Sequence, residues 1–156
     1  MTYKNELHEF SVLSDLATQR TSVTVSGWDV SAKDAISHEA TDSVLGNELN
    51  SGDTSGASIL KALAERKESL AHTVPLSSDE AQSHAESVFK MMARRFVTGR
   101  GVAEADSRLR VGNSVDLQGL GPLFSGKYYL SEVRLCFDGA RGIRTEFTAE
   151  RPGLGQ

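Results

Sequence analysis

Four histidines, one cysteine and a possible carboxylate pair are the first candidates for chemistry in this chain of 156 residues. His8, His38, His72 and His84 are widely spread, and none forms an HxxxH, HxH or HExxH arrangement. Cys136 lies far from all of them in sequence, so the grouped ligands of a metal centre are not expected. No GxSxG elbow presents a nucleophilic serine, and "FSGK" (Phe124 to Lys127) is too short a match to count as one. Asp15 and Asp29 could be imagined as a glycosidase dyad, but their sequence positions supply no geometry for it. The glycines of "TGRGV" and "GNSVDLQGLGP" match neither GxxxxGK[ST] nor a helix-opening GxGxxG, so they read as turns. Arg94, Arg95, Arg100, Arg108 and Arg110 form a local basic concentration suited to an acidic partner. It lacks the interleaved aromatics of a nucleic-acid groove. No residue is therefore assigned a catalytic, cofactor-binding or metal role, no cofactor is expected, and Cys136 reads as a small, partly buried thiol.

The whole-chain balance agrees with that reading. Seventeen basic and 21 acidic residues leave a formal charge of −4, which favours solubility and gives no general attraction to nucleic acid. A hydrophobic share of 38% suits one domain, or one domain with a sizeable insertion, carrying some polar loop. There is no apolar run of ~20 residues to insert stably in a bilayer. The opening "MTYKNELHEF" lacks the basic-then-apolar layout of a secretory signal, and a lone cysteine fits a reducing compartment; cytoplasmic folding is the expectation.

Which elements would position the polar groups? Alternation marks strands at Glu6 to Leu16, with Phe10 and Val12 on one side, and at "TSVTVSGWDV", with Val23 and Val25 opposed to Ser22, Thr24 and Ser26. "AKDAISHEA" is open to two readings, an extension of that strand or the start of a short helix, of which the extended one is favoured. Thr41 to Gly56, rich in Ser, Asp, Asn and Gly, reads as a long exposed loop. Ile59, Leu60 and Leu63 predict a short helix over Ala57 to Lys67, and "SLAHTVPL" after it reads as extended. The clearest helix is "SSDEAQSHAESVFKMMARRFV": Ser77 with Glu80 forms a capping box, and Ala81, Ala85, Val88, Phe89, Met92 and Phe96 form one apolar stripe. Gly99 and Gly101 are expected to stop it. The chain then ends in strands: "GVAEAD", "NSVDLQGL" and a hairpin joined by "DGARG". Its expected core face is Tyr129, Ser131, Val133, Leu135 and Phe137 with Ile143, Thr145, Phe147 and Ala149. Glu132, Arg134, Arg144, Glu146 and Glu150 form an outward array suited to cross-strand charge pairs.

The fold class expected is α+β: an antiparallel β-barrel-like domain with a helical insertion and one long amphipathic helix packed on the sheet. Residues 1–156 form one domain, mainly β over 6–40 and 98–151, with 41–97 as an insertion of polar loop and helices. Its ending, "MMARRFVTGRG" leading to "RLRVGNSVDLQGLGPLFSGKYYLSEVRLCFDGARGIRTEFTAERPG", resembles the phage late control protein D family and the related VgrG/Rhs-type spike proteins of contractile injection systems. The likeness covers roughly Ser77 to Gly153, and "VTVSGWDVSAKDAI" extends it upstream. Gly112 and Gly126 fall at its turns, Tyr128 and Tyr129 open the hairpin, and Thr145 and Phe147 lie in the last strand. Members often carry a histidine near Leu135 and an aromatic near Ile143; this chain has neither. The resemblance implies a hub domain, three copies of which form a ring joining the tail tube to the spike. Homotrimerisation, contact with tail tube, spike and baseplate proteins, no enzyme activity, and residence in a virion tail or injection particle would follow. Full hub proteins are longer, so the chain reads as a fragment of one. Two rivals predict different observations. A cell-envelope hydrolase would need converging carboxylates or a zinc set, and a cargo- or chaperone-binding module would use the polar segment Thr41 to Gly56.

Overall fold

The computed structural model describes residues 1–70 and 75–156. His72 and most of the "AHTVP" stretch predicted to be extended lie outside the described residues. The rest is a strand-rich α+β fold with two hydrophobic cores.

The larger core sits under a curled five-stranded antiparallel sheet of order β1-β6-β9-β8-β7. Its strands are β1 (Leu7–Ser14), β6 (Val97–Glu104), β7 (Ser114–Leu117), β8 (Gly126–Asp138) and β9 (Gly142–Arg151). The curl is bridged at one end by residues 1–3: Tyr3 N–H donates to the Gln118 carbonyl at 2.9 Å, and Leu7 N–H donates to the Thr2 carbonyl at 3.2 Å. Alternation in β6 is strict, with Val97, Gly99, Gly101 and Ala103 buried and the residues between them not. Gly99 and Gly101 thus do not stop the helix, as predicted, but lie inside a central strand. The Phe10 ring sits over Gly99 and the Phe147 ring over Gly101, where a Cβ would come within 2.2 and 2.4 Å of ring carbons. Phe10 also meets Tyr128 edge-on at 5.7 Å between centroids, so the absence of two side chains is what lets three rings share one layer.

The smaller core lies between α2 (Ser78–Arg94) and a three-stranded sheet of order β3-β2-β5, from β2 (Ser22–Asp29), β3 (Asp34–Ala40) and β5 (Lys67–Leu70). The strands over 22–40 therefore do not join the curled sheet. Val23 and Val25 meet Ala81, Ala85 and Phe89 there, as the predicted stripe requires, whereas Phe96, predicted on the same stripe, packs in the larger core. Ser77 caps α2 by accepting from Glu80 N–H at 3.2 Å, while the Glu80 carboxylate accepts from Leu76 N–H at 2.9 Å, one residue further back than the usual box. Ser77→Ala should lower stability by about 1 kcal/mol, measurable as a shift in the urea midpoint with unchanged m-value.

Three boundaries depart from expectation, the first being the end of α2, which stops at Arg94, so that Val97 opens β6 instead of closing the helix. Helix α1 (Gly56–Leu63) stops at the extended Ala64 rather than at Lys67. Thr21 N–H claims the Arg66 carbonyl, and Lys67 then pairs with Ser22, so the chain must straighten to add β5 beside β2. The polar stretch 41–56 is not an exposed loop. It folds as a 3₁₀ segment, Asp42–Glu48, that buries Leu45, followed by β4 (Thr54–Ser55), which pairs with β10 (Gly153–Leu154). Its polar residues are spent on partners. Asp42 accepts from Ser55 and Ser58 hydroxyls at 3.1 and 2.7 Å, the Glu48 carboxylate accepts from Arg94, and the Asn47 carbonyl accepts from Lys127.

The hairpin also differs in phase from its prediction. A bulge between Leu130 and Glu132 switches the alternation, so Tyr128 and Leu130 are buried instead of Tyr129 and Ser131. Beyond it, Val133 faces Phe147 as predicted. Three residues, 139–141, join the strands, with Gly142 at φ 75°, the left-handed position such a hairpin demands.

Candidate functional site: the outer face and free edge of the curled sheet

The two carboxylates weighed as a dyad do not converge. Asp15 accepts from Ala17 N–H and Asp29 accepts from Ser31 and Ala32 N–H; each closes a turn after a strand, and the two strands belong to different sheets. Among the described residues no group of three or more His, Cys, Asp and Glu is placed to hold a metal ion. His38 Nε2 lies 2.6 Å from the Ser78 hydroxyl at the start of α2. Ser125 supplies its hydroxyl to Leu120 N–H and its carbonyl to Arg151, both structural duties. The arginines expected to form one basic patch are divided among separate partners. Arg94 binds Glu48 through two nitrogens at 2.7 Å and stacks over the Tyr129 ring at 4.1 Å. Arg108 grips Asp106, and that hydrogen bond holds the Asp106 carboxyl down to about 2. Arg100 alone of the five projects from the outer face of β6.

That outer face carries a trough of about 680 Å³ crossing four strands. Glu9 and Ser11 come from β1, Arg100 and Val102 from β6, Glu146 and Thr148 from β9, and Glu132 and Arg134 from β8. The period of two brings them together, because every second residue of each strand points away from the core. Arg134 stands opposite Glu146 with 3.7 Å between charged atoms and 3.4 Å from Glu132, so part of the predicted charge array exists. These pairs are exposed and contribute little to stability. Three carboxylates and two guanidiniums line the trough, a mixed field that favours a polar protein surface over a polyanion.

Next to the trough the sheet is unfinished. Strand β7 pairs with β8 only over Gly126–Tyr129, and the Leu130 backbone bonds to Gly112 and Asn113. From Glu132 to Asp138, β8 has β9 on one side and no strand on the other among the described residues. Here Leu135, Phe137 and Ile143 project past the core, 64, 80 and 55% exposed. They share the face of Val133 and Phe147, but the core beneath them has ended, so residues predicted to be buried are exposed.

Sequence reasoning missed the clamp behind this surface. Arg151, 1% exposed, donates to the Ser125 carbonyl at 2.8 Å and to Asp53 at 2.7 Å, with its guanidinium 5.7 Å from the Tyr128 ring centre. Asp53 lies 98 positions away in the segment taken for a loop, and no spacing could have joined them. Gly126, at φ 137°, leaves room for the clamp, since a Cβ there would lie 3.1 Å from an Arg151 nitrogen and 2.6 Å from the Asn50 amide.

Over residues 1–137 the chain matches the family model described as the Alg8 N-terminal domain. No curated protein matches it significantly. Among solved structures, the 43 kDa tail protein of prophage MuSo2 from Shewanella oneidensis superposes with a TM-score of 0.62 over 97% of this chain and 43% of that one, at 10% identity. A tail protein from Neisseria meningitidis MC58 gives 0.60 over the same shares at 11% identity. A chain of the virion of a native gene transfer agent particle gives 0.51, covering 91% of this chain and 27% of that one at 15% identity. At such identities the likeness is one of fold, and the chain spans less than half the length of each of these proteins.

Proposed function

The chain belongs to the Alg8 N-terminal domain family, and we propose that it is a structural hub or baseplate subunit of a phage tail or related contractile injection particle. One observation carries the reading: nearly the whole chain, 97%, shares its fold with two proteins described as tail proteins. The motif likeness to late control protein D and VgrG-type spikes over Ser77 to Gly153 points the same way and supplies the finer role. In that role three copies form a ring that joins the tail tube to the spike, contacting tube, spike and baseplate proteins. The chain works by geometry rather than catalysis, folding in the cytoplasm and ending in the particle. No helix is long and apolar enough to cross a membrane among the described residues, which suits such a component. The mixed-charge trough and the open sheet edge are the surfaces a ring wall would turn to its neighbours.

The test is incorporation. Particles purified from the producing strain, with this chain epitope-tagged, should carry the tag at one end of the tail, and deletion should leave particles without functional tails. Tag absent from purified particles, or normal tails assembled without the chain, would overturn the reading.

A further inference from the structure

The two open edges of the curled sheet are complementary to each other. Strand β1 pairs antiparallel with β6, β6 with β9, and β9 with β8, so β1 and β8 run in opposite directions. When a second copy is set beside the first, head to tail, its β1 meets β8 antiparallel, as at every junction already in the sheet. The outer faces of the two copies then stay continuous. The free run of β8, Glu132 to Asp138, is seven residues long, as is the part of β1 (residues 8–14) beyond Leu7, whose carbonyl and N–H already bond to Lys4 and Thr2.

Side chains select a register. With Leu135 opposite Phe10, Val133 meets Val12 and Phe137 meets His8, which covers the exposed apolar side of the hairpin. On the outer face the same register sets Glu9 opposite Cys136, diagonal to Arg134 and next to Arg144, which pairs with Cys136 within its own chain. Glu9 is exposed with no acidic or basic partner of its own among the described residues, and the Arg144 Nε is buried without an acceptor. We propose that β1 of a second copy of this chain docks on the free edge of β8, with its Glu9 between Arg134 and Arg144. The interface is heterologous, each copy giving one edge and receiving another, as a closed ring needs. It names the contact by which the ring wall would be built and rests on that reading.

A cysteine at position 9 tests the register directly. Within one chain, positions 9 and 136 are three strands apart, roughly 14 Å along the sheet, beyond the ~7 Å between Cα atoms that a disulfide spans. Purified Glu9→Cys, oxidised mildly over a concentration series, should give reducible dimers and higher species that vanish in Glu9→Cys/Cys136→Ser, with the wild type uncrosslinked. Phe137→Asp, at a site 80% exposed, should weaken association at least tenfold by sedimentation while leaving the thermal midpoint in place. Absence of crosslinks in Glu9→Cys at every concentration, a monomer throughout, or a Cys136–Cys136 dimer in the wild type would overturn the proposal; the last would mean that β8 pairs with itself. Repeating the oxidation in tagged particles separates the two readings. Tag present without crosslinks sinks the edge contact alone, whereas crosslinks in the purified chain with no tag in particles sink the tail role.

Discussion

Arg151→Met should destabilise the fold by roughly 3–5 kcal/mol, which is most of the stability of a domain at the low end of the usual ~5–15 kcal/mol range. The side chain is 1% exposed and its Asp53 partner 6%, so removing the cation leaves a largely buried carboxylate with only the Asn50 N–H, at 2.8 Å, to offset its charge. The Ser125 carbonyl loses its donor as well. Arg151→Lys should recover only part of this, because an ammonium on one stem cannot address Ser125, Asp53 and the Tyr128 ring from one plane as a guanidinium does. Asp53→Asn should cost less than the Met change, since an amide oxygen still accepts from the guanidinium. A double-mutant cycle of Arg151→Met with Asp53→Asn should fall short of the sum of the singles. Urea unfolding of the four proteins decides it. Strict additivity would show that the clamp is not a coupled unit.

Gly99→Val is expected to be nearly as severe, at about 1–3 kcal/mol or more. Even a bare Cβ at this position lies 2.2 Å from the tip of the Phe10 ring, which is held between Gly99 and the Tyr128 edge and has little room to turn. The glycine φ is ordinary, so the penalty comes from packing and not from backbone strain. That distinction is measurable. Gly99→Ala alone should destabilise, and Phe10→Leu should relieve much of its cost by withdrawing the ring, although Phe10→Leu destabilises by itself. If Phe10→Leu makes Gly99→Ala no milder, the ring-over-glycine account fails.

The rest of the structure shows where sequence stops being informative. Helix α2 and its Ser77 cap were legible because every determinant lies within a turn or two: the capping hydroxyl, the acidic first turn and the 3.6-residue stripe. The strands β2 and β9, and β8 beyond its bulge, were legible from their period of two, and the outward charges of the hairpin followed from the same period; β6 was read as a strand only from Gly101 onward. Three features were not. A single bulged residue, Ser131, reverses which side of β8 faces the core, and its position is set by what β9 offers across the ladder. Polar residues from Asp42 to Asp53 look like loop until the Arg94, Lys127 and Arg151 side chains that satisfy them are in place. Gly99 and Gly101 look like punctuation until two rings from other strands lie on them.

The sequence by itself therefore determined the local periods, the strand-rich α+β class and the absence of any short catalytic or metal motif. It also carried the motif likeness from which the tail role was first inferred. Only the tertiary structure decided that Asp53 belongs to Arg151, that the expected hairpin core face runs out of core at Leu135, and that two open edges of opposite direction remain. The reason is physical. Periodicity and capping are local and survive in one dimension, whereas clamps, bulges and free edges are relations between segments up to a hundred residues apart, formed only when the chain closes on itself.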